Sequence, residues 1–192
     1  MKYKGGKRPT LLVFAGPNGS GKSTISDCVK TKGMYINADE IKQLNKNLTD
    51  LEAAVEAESL REYYLREGLD FTFETVLSTN RNIDLIARAK AAGYYIDCYF
   101  VLTAYPELNE FRIRMRVNNG GHDVPADKIR SRYQKSLQNI PVLIELCDKI
   151  RIVDNTEKPF VIYINDAEGR SAISENKYWS KERITALIKR KT

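Results

Sequence analysis

Residues 14–24 read FAGPNGSGKST, and no other stretch of the chain constrains its fold so tightly. Within it, Gly16, Pro17, Asn18, Gly19, Ser20, Gly21, Lys22 and Ser23 satisfy the spacing GxxxxGK[ST], with Thr24 following. An apolar run at 10–15 leads into the loop, and a segment with Ile25, Cys28 and Val29 on one helical face leaves it. Glycines adopt backbone angles closed to other residues, so successive N–H groups can turn onto a phosphate. The helix that follows adds its positive N-terminus. Lys22 is then placed to reach the β- and γ-oxygens of ATP, and the Ser23 hydroxyl to ligate Mg2+. The competing explanation, a glycine turn that matches by accident, has to account for both flanking elements as well.

β-rich and helical runs alternate along the rest of the chain. Strands are expected at 10–15, 34–37, 71–76, 95–102, 149–153 and 160–164. Helices are expected at 23–32, 83–92, 107–117, 126–147 and 181–190. Thr49 with Glu52 three residues on forms a capping box for a further helix reaching about residue 67. This alternation predicts right-handed βαβ units and an α/β fold: a three-layer P-loop NTPase or kinase fold, its sheet mainly parallel with helices on both faces. Neither a repeat nor a low-complexity linker interrupts residues 1–192, so one domain is expected, with a helical lid at about 106–140. Ligands of such sheets bind at the carboxyl ends of the strands.

Composition removes several classes. The 192 residues are 42% hydrophobic and 29% charged, as in an ordinary globular protein. No apolar run approaches the ~20 residues of a membrane span. The basic N-terminus precedes an apolar run too short for a signal peptide. Cys28, Cys98 and Cys147 are far apart and lie among apolar neighbours, which reads as reduced core thiols in a cytoplasmic protein. The net charge of +6 suits an acidic partner, nucleotides included, but scattered lysines are usually a solvated face and argue against nucleic acid.

The loop wording GPNGSGKST also occurs in transporter ATPases. Those need an LSGGQ-like signature and a hydrophobic strand ending in Asp-Glu, and the chain has neither. Asp97 stands inside a strand-like run rather than at its end. A GTPase reading fails on position: residues 166–169 spell Asp-x-x-Gly far too late, and Asn45-Lys46-Asn47-Leu48 lacks the acid of the guanine motif.

Other residues suggest phosphate transfer. Asp39, after the second strand, would lie beside the phosphate loop, either as the base that takes a proton from an attacking hydroxyl or as a helix N-cap before Ile41. Glu74 is an acid in an apolar strand and must meet a cation, a hydroxyl or the ligand; a structural ion pair is the alternative. Arg112 and Arg116 share a helical face while Arg114 points away. With Gly120-Gly121 behind them they suit a lid that closes cations over phosphates, or else an exposed basic face. His122, the only histidine, suits hinge packing or a place at the substrate.

FAGPNGSGKST, INADE, FETVLST, RIRMRVNNGGHDVPADKIRSRYQKSLQNI and VDNT, in that order over residues 11–156, resemble the zeta-toxin-like P-loop kinases. The segment from Gly120-Gly121-His122 to Arg132-Tyr133 is the most specific, and points to a branch often labelled an ABC-type ATPase. Zeta toxins phosphorylate UDP-N-acetylglucosamine and are held inactive by an antitoxin protein. The resemblance implies Lys22 and Ser23 on ATP and Mg2+, and Asp39 as general base. It implies Glu74 as a substrate or magnesium-side acid, and Arg112 and Arg116 as phosphate arginines. Asp154 and Asn155 would lie near the adenine, with Thr75, His122 and Arg132 on the substrate side. The function expected is transfer of the γ-phosphate to a hydroxyl of a small molecule, such as a nucleotide sugar. The alternatives are a kinase on another acceptor, such as a nucleic-acid 5′-hydroxyl, and an ATP-controlled module whose basic C-terminal helix, with Tyr178 and Trp179 before it, recruits a protein.

Overall fold

The structure, a computed structural model, describes residues 8–118 and 124–190. Its strands are β1 (Thr10–Ala15), β2 (Met34–Ile36), β3 (Phe71–Thr75), β4 (Tyr95–Leu102), β5 (Lys149–Asp154), β6 (Phe160–Asn165) and β7 (Ser171–Ile173). Its helices are α1 (Lys22–Ser26), α2 (Ala38–Leu44), α3 (Asp50–Glu67), α4 (Asn80–Ala91), α5 (Pro106–Asn118), α6 (Ala126–Gln138), α7 (Ile140–Leu146) and α8 (Lys181–Ile188).

Alternation along β1 sends Leu11, Val13 and Ala15 to one face and Leu12 and Phe14 to the other, and all five are buried. A strand buried on both faces belongs in the middle of a sheet. β1 is there, between β3 and β4, in the order β2-β3-β1-β4-β5-β6-β7. The first five of these pair in parallel, and β6 and β7 add an antiparallel edge. Ala57 of α3, Ile86 of α4, Leu143 of α7 and Ile184 of α8 cover one face, and Ile25 of α1 packs on the other. The result is the expected three-layer α/β architecture. No helix among the described residues is long and apolar enough to cross a membrane.

Several elements depart from the sequence-based expectation. The first helix stops at Ser26 instead of reaching residue 32. Cys28 N and Val29 N donate to Ile25 O and Ser26 O, so the chain tightens into i,i+3 turns there. Cys28 consequently faces solvent, against the expectation of three core thiols, whereas Cys98 and Cys147 are buried. α2 corresponds to the helix offered as the alternative reading of Asp39, but Asn37 starts it by accepting from Asp39 N at 2.9 Å. The N-cap is therefore Asn37 and not Asp39. The long helix expected at 126–147 breaks at Asn139 into α6 and α7, with Pro141 in the first turn of α7. Trp179, offered above as part of a recruiting surface, is 2% exposed and belongs to the core. Asp97 is mid-strand and pairs with Arg151 at 2.7 Å.

The capping box on α3 forms as read: Glu52 N donates to Thr49 Oγ1 at 3.2 Å, and Thr49 N to Glu52 Oε2 at 2.7 Å. Replacing Thr49 by Ala removes the first of these bonds. Thr49→Ala should lower stability by about 1 kcal/mol, read as a lower urea midpoint with an unchanged slope.

Candidate active site

The phosphate loop is shaped by anchors on its outer side. Gly16 N donates to Thr75 O at 3.1 Å, tying the loop's first residue to β3. The side-chain amide of Asn109, on α5, donates to Asn18 O at 2.7 Å, and its oxygen accepts from the Thr103 hydroxyl. The amide of Asn155, just after β5, donates to Ser20 O at 2.9 Å. A trans peptide points its N–H opposite to its C=O. The N–H groups of Gly19 and Gly21 therefore turn away from these anchors, and both glycines line the cavity in front of the loop. Gly21 has φ +86°, and a Cβ on it would sit 2.2 Å from the Asn155 amide nitrogen. Only glycine satisfies both the backbone angle and the approach.

That cavity, about 450 Å³, opens beyond the carboxyl edge of the parallel strands. Its wall includes Asn18, Lys22, Ser23 and Thr24 from the loop, Asp39 from α2, Glu74 and Thr75 from β3, Arg61 from α3, and Arg112 and Arg116 from α5. Lys22, Ser23, Asp39, Glu74, Thr75, Arg112 and Arg116, all singled out from sequence, are thus gathered around one space. The second strand does not lie beside the loop as expected. β3 intervenes, with Glu74 opposite Phe14 in the register, and Asp39 lines the cavity from the first turn of α2, three residues past the end of β2.

Charge at the site is balanced tightly. Lys22 Nζ donates to Gly16 O at 2.9 Å and Pro17 O at 3.2 Å. Burial pulls its pKa down to about 8; Glu74 opposes that shift and Arg116 adds to it. Glu74 Oε1 accepts from Tyr35 Oη at 2.6 Å and lies 3.0 Å from Ser26 Oγ. Burial, with the Glu74 bond second, pushes the Tyr35 phenol well up, so it remains a donor. Glu74 thus meets two hydroxyls, one of the outcomes expected for it. No described residue hydrogen-bonds or ion-pairs the Asp39 carboxylate, which stands open on the cavity wall. Arg112 Nη2 donates to Thr156 O at 3.1 Å, and burial lowers its pKa. The Thr75 hydroxyl accepts from Leu77 N and the Asn82 amide, which leaves its own proton to donate.

Four expected residues are placed elsewhere or not at all. Asp154 is 2% exposed, and its carboxylate accepts from Thr156 and the Asn176 amide, away from the cavity wall. Asn155 holds the loop from behind. Arg132 lines neither this cavity nor a second one between α6, α7 and α8. His122 and the glycine pair before it lie outside the described residues. Asn109 and Arg61 were missed: an Asn inside a helix and an Arg in a charged helix carry no sequence signal of their own.

The donor set suits a nucleotide with its metal. Among the described residues no trio of acids forms a metal cage. Mg2+ at phosphates needs only one or two protein oxygens and keeps water and phosphate oxygens besides. Ser23, on the cavity wall, carries a hydroxyl that could be one of them.

Comparison with known proteins agrees with this fold. An uncharacterized protein of Haemophilus influenzae is 32% identical over 130 residues, 64% of this chain and 91% of that one. A solved structure of the PezAT chromosomal toxin–antitoxin system of Streptococcus pneumoniae is 18% identical, with a TM-score of 0.62 over 98% of this chain and 91% of that one. The AvrRxo1-ORF1:-ORF2 structure with ATP is 17% identical, with a TM-score of 0.71 over 95% of this chain and 64% of that longer chain. At such identities the two structures establish the fold. The Zeta toxin family profile matches residues 1–168, nearly the whole of the sheet and its helices, and the chain belongs to that family.

Proposed function

We propose that the protein is an ATP- and Mg2+-dependent phosphotransferase that moves the γ-phosphate onto a hydroxyl of a small molecule, with a nucleotide sugar such as UDP-N-acetylglucosamine as the first candidate. One observation carries this reading: a single cavity joins the phosphate loop to an open carboxylate, Asp39, and to two helix arginines, Arg112 and Arg116. A motor ATPase needs an acid that activates water. A kinase needs room and a base for an alcohol.

In this reading the N–H groups of Gly19 and Gly21 and the Lys22 ammonium hold the phosphates, and Ser23 contributes a hydroxyl to Mg2+. The metal supplies charge neutralisation at the phosphate oxygens. Asp39 accepts the proton of the acceptor hydroxyl as its oxygen bonds to the γ-phosphorus and the bond to the bridging oxygen breaks, leaving ADP. Arg112 and Arg116 offset the charge on the transferring group. Glu74 orients Tyr35 and keeps Lys22 protonated. Residues 1–192 act as one unit, with the segment 106–140 serving as the lid. A cytoplasmic location, and an antitoxin partner of the kind the PezAT description names, belong to the same proposal.

Incubation with ATP, Mg2+ and UDP-N-acetylglucosamine, read by mass spectrometry, should give the acceptor plus one phosphoryl group. If it does not, a search of metabolite extracts with labelled ATP is the wider form of the same test, and ATP binding without transfer to any acceptor would retire the proposal. Asp39→Asn should keep ATP binding and lose at least ~10²-fold in turnover. A second outcome concerns protons. Phosphates beside Lys22 favour its charged form, so its pKa must rise from about 8 when ATP binds. Binding near that pH should take up protons, and affinity should fall as pH climbs through it. Calorimetry in two buffers of different ionisation enthalpy measures the uptake, and Lys22→Met should abolish it.

A further inference from the structure

α3 carries a buried row of small residues, Ala53 and Ala57, facing the sheet at a spacing of four. The next position on that row is Arg61, where the pattern calls for another apolar residue. Its guanidinium lies 5.4 Å from the centre of the Phe73 ring, and its Nε is buried with no hydrogen-bond partner among the described residues. The neighbouring acids are bonded elsewhere: Glu58, one turn away, to Arg81, and Glu62, the next residue, to Arg88, both on α4, so that Glu62 reaches Arg61 only as a nearby charge. No ion pair to Arg61 exists among the described residues, yet it lines the candidate active-site cavity.

Its position separates it from the nucleotide machinery. The loop leaves β1, whereas α3 lies over β2, with β3 between. Phe73, under the guanidinium, belongs to the cluster on the α3 face of the sheet. The loop helix α1, with Ser26 on Glu74, sits on the opposite face. Arg61 therefore enters the cavity from the side where an acceptor, and not ATP, would stand. A half-buried guanidinium without a carboxylate is costly, and the ring beneath it offsets only part of that cost. Its planar fork matches an oxyanion in two-point contact.

We propose that Arg61 anchors an oxyanion carried by the acceptor itself, a phosphate or a carboxylate distinct from the hydroxyl that is phosphorylated. This rests on the phosphotransferase reading above and narrows it: the acceptor is an anionic small molecule and not a neutral sugar or polyol.

The deciding experiment titrates inorganic phosphate by calorimetry into the full chain saturated with Mg2+ and β,γ-methylene ATP, so that the γ-phosphate position is already filled. Wild type should bind one phosphate, and Arg61→Gln should weaken that binding by about tenfold or more, the size of a lost charge-assisted contact. Affinity for the ATP analogue within about twofold of wild type shows that the variant is folded. Arg61→Lys, which keeps the stem and the charge over Phe73, should show an intermediate loss and serves if the Gln variant fails to fold. Absence of phosphate binding in wild type, or equal binding in wild type and variants, overturns the inference. A second arm offers labelled ATP with two pools of alcohols, one bearing phosphate or carboxylate groups and one neutral. Product from the charged pool alone, reduced in Arg61→Gln, supports the anchor, and the member that reacts tells phosphate from carboxylate. Product from the neutral pool, unchanged in the variant, sinks it while the kinase reading stands. Product from neither pool removes the kinase reading, and the phosphate titration still decides the role of Arg61.

Discussion

The site depends on the direction of two peptide planes. With the carbonyls of Asn18 and Ser20 held outward by the Asn109 and Asn155 amides, the N–H groups of Gly19 and Gly21 turn the other way. Those amides come from α5 and from the residue after β5, 91 and 135 positions along the chain from their partners. A phosphate grip that reads as a local motif is therefore held by distant parts of the fold. The same α5 carries Arg112 and Arg116, so the helix that sets the loop also places the cations over it.

Sheet order governs the acids. Because β3 lies between β1 and β2, Glu74 stands opposite Phe14 near the end of β1, and Asp39 reaches the cavity from the first turn of α2, just past β2. The two carboxylates end in different chemical settings. Glu74 is bound by hydroxyls and moderates the desolvation of Lys22, whereas Asp39 keeps an open carboxylate. That division suits a structural and electrostatic acid beside a base. It arises from strand order and not from the residues' own character.

Much of this was legible before the structure. Strong local signals survived folding: the loop, the two-sided burial of β1, the Thr49–Glu52 capping box and the helical pairing of Arg112 with Arg116. Failures cluster where a distant contact outweighs a local pattern. The 3.6-residue period that carried the first helix to residue 32 gives way to tight turns after Ser26, whose hydroxyl lies within bonding distance of Glu74 in β3, and Cys28 turns outward with it. Trp179 looked available beside a basic helix, yet Arg183 lies 4.0 Å from the centre of its ring and the core encloses it. The family resemblance implied Asn155 near the adenine; its amide donates to Ser20 O and holds the loop.

By itself the sequence determined that this chain builds a phosphate-loop motif between a buried strand and a helix, because glycine spacing, a lysine and a hydroxyl must be contiguous to form such a loop. It also determined the alternating α/β layers, since apolar period is a local property. Tertiary structure alone decided which acid stands free, which asparagines hold the loop, and that an arginine on the α3 row looks into the cavity. Those facts depend on strand order and on contacts between residues tens of positions apart, and no local pattern of residue types encodes them.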